Sequence, residues 1–338
     1  MNALSGDFAA QDRFALPGCE TYADSKQILN PAYEFLKSGN TVRAKTLVED
    51  ALTDELDNPE VIFALRCVNF WAGKLDEPEG AVPEDKGDFL FRAWKRFLSF
   101  VPDEDKKFGR CLYAVRIGVF SRALDEFLEA LGGAHKNQRE DELYRKAGIC
   151  HKKLGEYETA LSFLSQANTL RPDMPAVLAE LADCYALCGN ERMAKILFKE
   201  AFFLEPQQID AAFLDCMMIL HLMRQVEKKG YTGSELLEWM PVYGVLYGVL
   251  NIKRELRPTE ASRIKQEIFR LEIELNETQS ALIIPRLINH YFWLIDHFHL
   301  AAVRGSGTAL NEKEETERKI KGLNVAIYKL YAGNQSPA

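Results

Sequence analysis

The sequence lacks a basic excess: 42 lysines and arginines stand against 50 aspartates and glutamates, a formal net charge of −8. General nucleic-acid binding, which needs surplus cations to meet phosphates, is therefore not expected, although a local basic face is compatible with these counts. Missing too is any uncharged apolar run of the roughly 20 residues that a bilayer requires. Trp239–Ile252 is too short, and Leu282–Val303 is broken by Pro285, Arg286, Asn289, His290, Asp296, His297 and His299, so both read as buried helices and no membrane span is expected. The 7 cysteines are an odd count without the spacing of a disulfide framework, which points to a reducing, cytoplasmic setting and to thiols that fill the core. Met1–Lys26 has neither a basic start nor a sustained apolar run, so no secretory signal is expected. Its Leu16-Pro17-Gly18-Cys19 resembles a lipoprotein cleavage site, yet Asp7, Asp12 and Arg13 occupy the place of the apolar segment. Residues 1–24 read as a solvated leader or a short cap.

Signatures of catalysis are equally scarce. No glycine-rich phosphate loop, nucleophile elbow or His-Glu zinc motif occurs. Cys184 and Cys188 would share a helical face, but no second pair stands at the spacing of a tetrahedral zinc site. His290, Asp296, His297 and His299 are denser, and such residues in an apolar helix are expected to hydrogen-bond within a bundle or reach solvent. The expectation is a chain that is not an enzyme and has no catalytic residue, no cofactor and no metal. A small-molecule or metal site in the His-rich carboxy-terminal helices stands as a rival.

What is present is a period. Gly155 is followed by Gly189, Ala160 by Ala194, Ala167 by Ala201 and Pro172 by Pro206, each 34 positions on, as Gly148 is by Ala182. Small residues let two antiparallel helices approach closely, glycine closes the first helix in a left-handed conformation, and proline ends the second. At 47% hydrophobic and 27% charged, the chain has enough apolar material to build a core from such units.

Residues 141–174, with Tyr144, Gly148, Gly155, Tyr157, Ala160, Ala167, Leu170 and Pro172, resemble the tetratricopeptide repeat (TPR) family. Residues 175–208 repeat the likeness with Leu178, Leu181, Ala182, Tyr185, Gly189, Ala194, Phe198, Ala201, Leu204 and Pro206. The resemblance implies an all-α fold, an α-α superhelix or TPR-like solenoid, over 25–208 with about five helical hairpins. Weaker copies are read at Ala32, Gly39, Ala44 and Ala51, and at Gly118, Phe120, Ala123, Phe127 and Ala130, where Gly118 is expected to form a turn. Lys74–Asp88, rich in proline, glycine and acidic residues, is expected to be an inserted loop.

Past Gln208 a degenerate repeat is expected, helical over Ile209–Lys228. Amphipathic helices follow over Thr259–Glu277 and Asn311–Ala332, within the 209–332 region, before a tail at 333–338. These helices are expected to form a capping bundle on the solenoid end, where Phe213, Met217 and Leu220 extend an apolar surface. The rival is an independent bundle hinged at Lys228-Lys229-Gly230.

The resemblance implies protein recognition: an adaptor or chaperone-like scaffold holding a partner segment in a concave groove lined by the first helix of each repeat. The family's register places Arg116, Arg145, Ile149, Lys152, Lys153, Ala179, Asp183 and Ala186 there, with Leu29 and Phe63 at equivalent positions in the flanking copies. Arg145, Lys152 and Lys153 would form a basic patch suited to acidic groups on a protein or peptide. The lysine and asparagine clamp by which some members grip a terminal carboxylate is absent. A structural subunit of a homo-oligomer or of a large bacterial secretion or motility assembly is the alternative.

Overall fold

The structure is a computed structural model. It describes residues 25–75, 82–102, 108–133, 139–254, 256–278 and 280–335. The described residues are predominantly helical, with no strand among them, and the chain divides into two compact units, Met1–Phe163 and Leu164–Ala338.

In the first unit α1 (Ser25–Lys37) and α2 (Thr41–Asp54) form an antiparallel pair closed by Gly39, at φ +75°. The Gly39 N–H donates to the Leu36 carbonyl and the Asn40 N–H to that of Phe35. The Asn40 side chain then accepts from the Arg43 N–H, starting α2. The same local pattern joins α6 (Glu140–Leu154) to α7 (Tyr157–Leu170), where Gly155 has φ +91° and donates to Lys152 while Glu156 donates to His151. The rings of Tyr144 and His151 meet Phe163 at 5.8 and 4.8 Å, packing α6 against the middle of α7.

Between these hairpins α3 (Pro59–Trp71) and α4 (Pro83–Phe100) meet through aromatic side chains. Trp71 lies 5.5 Å from Phe97 and 6.5 Å from Trp94, and Trp94 lies 5.0 Å from Phe120 of the next helix. Two expectations change here. Pro83–Asp88, read as part of a loop, is the first turn and a half of α4. Pro83 at the helix start leaves no internal donor missing, and Glu84 and Asp85 suit the positive end of the helix dipole. The remainder of the expected insertion, 76–81, lies outside the described residues. The expected turn at Gly118 is absent: α5 (Gly109–Gly132) runs unbroken through it. Gly118 instead lets α5 press against α1, where a Cβ would run into the Leu36 carbonyl oxygen.

The division at Phe163 and Leu164 falls within α7, and in the second unit α8 (Pro175–Leu187) and α9 (Glu191–Leu204) are turned by Gly189 at φ +82° with the Gly39 pattern once more: Gly189 donates to Ala186 and Asn190 to Tyr185. The alanines that follow these glycines, Ala44, Ala51, Ala160, Ala167, Ala194 and Ala201, are all buried. Two short 3-10 turns, Pro206–Gln208 and Ala211–Phe213, precede α10 (Met217–Glu227), so 209–216 is not the helix expected there.

There follow α11 (Gly233–Leu246), α12 (Pro258–Thr278), α13 (Ile283–Val303), α14 (Ala309–Leu323) and α15 (Val325–Gln335). The last two replace one expected helix over 311–332. Asn324 breaks it by accepting the N–H groups of Ala326 and Ile327, and α15 takes in residues 333–335 of the expected tail. Helix α13 is buried along most of its length and packs on α11, α12 and α14. A single core runs from Leu178 and Ala194 through Trp239 and Trp293 to Tyr331. Lys199 of α9 bonds Asp296 of α13 at 2.6 Å and the Ile252 carbonyl at 2.8 Å, and Asn289 donates to the Phe202 carbonyl. The carboxy-terminal helices therefore share a core with α8 and α9, which overturns an independent bundle hinged at 228–230.

Candidate functional site

The groove positions divide between the two units. Five fall in the first, on α5 and α6. Arg116 is half-buried with its guanidinium 5.3 Å from the Tyr113 ring. Arg145 grips Glu142 through two bonds of 2.8 and 3.0 Å. Burial pushes the Glu142 carboxyl up, but Arg145, with Lys146 and Arg139 adding, holds it below its ordinary value. Ile149 is buried, and Lys152 and Lys153 are only 2% and 3% exposed, each already engaged with other groups. The open basic patch expected of Arg145, Lys152 and Lys153 is thus not presented to solvent. A buried ammonium needs partners within the protein, since unpaired burial of a charge costs several kcal/mol.

In the second unit Ala179 is buried, Ala186 is half-buried and Asp183 is 0% exposed. The two Asp183 carboxylate oxygens accept the backbone N–H groups of Asp215 and Cys216 at 2.9 and 2.8 Å. Asp183 thereby fixes the chain that leads into α10, a role without local sequence signature because its partners lie more than 30 residues away. Leu29, Phe63 and Phe213 are buried and Leu220 is half-buried, while Met217 stands 63% exposed. Of the positions assigned to the groove, Met217 is the one open to solvent.

The His-rich stretch does not converge on a common point. The His290 Nδ1 bonds the Arg286 carbonyl and its ring packs 4.8 Å from Phe203. Asp296 holds Lys199, and the Leu256 N–H donates to His297 Nδ1 at 3.3 Å. Among the described residues no group of three or more histidines, cysteines or carboxylates is placed to hold a metal ion. Cys184 is buried whereas Cys188 is exposed, so the two do not face one site.

No protein-family model matches the chain, and neither does any curated protein. No helix among the described residues is long and apolar enough to cross a membrane. The first unit carries an open cleft of about 440 Å³, lined by Lys37, Ser38, Gly39, Leu75, Gly118, Ser121, Arg122 and Asp125. Its cations are already paired, Lys37 with Glu34 and Arg122 with Glu126, and no nucleophile–base pair stands in it.

Proposed function

We propose that the chain is a TPR-like protein-interaction module, a cytoplasmic adaptor or chaperone-like scaffold that holds a segment of a protein partner and performs no chemistry of its own. The observation that carries this reading is the recurrence of one hairpin device. Gly39, Gly155 and Gly189 share a left-handed conformation and the same pair of turn hydrogen bonds, and each is followed five residues later by a buried alanine. Stacked hairpins of this kind offer extended surfaces, and such surfaces bind other chains. Residues buried at the expected groove positions keep their place in the proposal as supports of the surface rather than as its contacts.

Capture from the native host with the full chain as bait tests this. A protein recovered in near-stoichiometric amount, and lost on competition with untagged chain, is the expected result. A structural subunit would instead return only copies of itself. Exposed Phe269 and Ile273, one turn apart on α12, give that alternative a specific surface. Light scattering on the eluting protein separates the two, since a closed oligomer without any captured partner would reject the adaptor.

A further inference from the structure

We propose that the outward face of α4 docks an acidic segment of a protein partner that carries apolar side chains at its ends, a proposal that rests on the chain being a binding module. Phe89, Arg92, Arg96 and Phe100 succeed one another at steps of three, four and four, which sets them along one side of the helix. All four are exposed, the rings by 37% and 38%, while Leu90, Trp94 and Phe97 on the other side are buried. Two phenylalanine rings thus bracket two guanidinium groups over roughly 16 Å, the rise of eleven helical residues.

The charge around this face departs from that of the whole chain. Against a net charge of −8, neither Val61–Leu75 nor Phe89–Pro102 contains an aspartate or a glutamate. These two stretches meet at the end of α4. Phe70 lies 5.0 Å from Phe100, the Arg66 guanidinium sits 5.6 Å from the Phe100 ring and the Lys74 ammonium 4.5 Å from that of Phe70. Among the described residues no carboxylate is ion-paired with Arg92 or Arg96.

Arginine and exposed aromatic rings are the side chains that most often anchor a protein interface, the ring by burial and the guanidinium by paired bonds to carboxylate. Complementarity therefore selects a partner with carboxylates in the middle and apolar groups about 16 Å apart, the length of roughly five extended residues. A nucleic-acid strand suits the face less well, because its charge continues past the patch into a molecule that is acidic overall.

The test is fluorescence anisotropy on the full chain with a labelled peptide of four glutamates between two phenylalanines. Wild type is expected to bind it, less tightly as salt rises, and Arg92→Glu with Arg96→Glu should weaken binding at least tenfold. Arg192→Glu with Arg263→Glu, an equal charge change at exposed positions of the second unit, should alter it less than twofold. Melting curves should show all three proteins folded. Equal loss in both double variants, equal binding of a peptide with lysines for glutamates, tighter binding of oligothymidylate, or no binding at all would each overturn the proposal. The module and this face fail separately: a native partner captured equally by wild type and the Arg92→Glu, Arg96→Glu chain retires the face alone, and no partner for either retires the module.

Discussion

Glycine has two opposite roles in this chain. At 39, 155 and 189 it adopts positive φ and ends a helix, whereas Gly118 sits inside α5 because the Leu36 carbonyl leaves no room for a side chain. Gly118→Ala should therefore destabilise by about 1–3 kcal/mol in urea unfolding, since backbone must move to admit the methyl group. Gly132→Ala, at the end of the same helix with open space around it, should change stability by less than about 0.5 kcal/mol. Equal losses at both positions would contradict the close approach of α1 and α5.

His290 sets a second expectation. Burial lowers its imidazole below the ordinary 6.5. The folded chain then keeps the ring neutral where the unfolded chain takes up a proton, so this contribution is complete above about pH 6.5 and is lost as pH falls. His299, lowered chiefly by its partial burial, acts in the same direction. Glu260 also has a lowered value, held down first by the Arg257 N–H and then by Arg254, but as a carboxylate it matters only towards pH 4.5 and below. Melting temperature should begin to fall between pH 7 and 5.5, and His290→Gln should flatten that fall. An identical pH profile in the variant would show that the buried imidazole is not the source.

Among the elements, the hairpin turns and the carboxy-terminal helices were legible in the sequence to different degrees. Gly155 and Gly189 announce their turns because glycine adopts positive φ without steric cost, and α12 and α13 lie within one residue of their expected ends because apolar residues recur at steps of three and four in α12 and cover most sides of α13. The continuity of α5 was not legible, since it depends on a contact with a helix some 80 residues earlier in the chain. Nor was the break at Asn324: Ile320, Leu323, Ile327 and Leu330 keep helical spacing across it, and only the capping bonds show two helices. The burial of the expected groove positions was not legible for a related reason. The family register says which side of α6 or α8 a residue occupies, and burial of Lys152, Lys153 and Asp183 depends on what the rest of the chain puts there. The hairpin itself can be tested in α9. Ala194 is fully buried, so Ala194→Leu should cost about 1–3 kcal/mol by overpacking, whereas Arg192→Leu at an exposed position two residues earlier should cost under about 0.5 kcal/mol. Thermal or urea unfolding of the two variants decides it, and similar losses would show that the repeated alanine does not mark a close helix contact.

At the scale of the molecule, the second unit joins a repeat-like hairpin to six further helices through one core. Helix α11 packs against α9, and Phe203 of α9 meets Trp293 of α13 with ring centroids 4.5 Å apart. Arg286 of α13 reaches both Glu205, at 2.9 Å, and the buried Glu238 of α11. Without these helices the apolar face of α9 would lie open to water. The decisive measurement is light scattering and thermal unfolding of a chain ending at Gly230. Removal of α11 to α15 should expose the apolar face of α9, giving a protein that self-associates and melts well below the full chain. A monodisperse fragment with undiminished melting temperature would contradict the shared core and restore the carboxy-terminal helices to the status of a separate bundle.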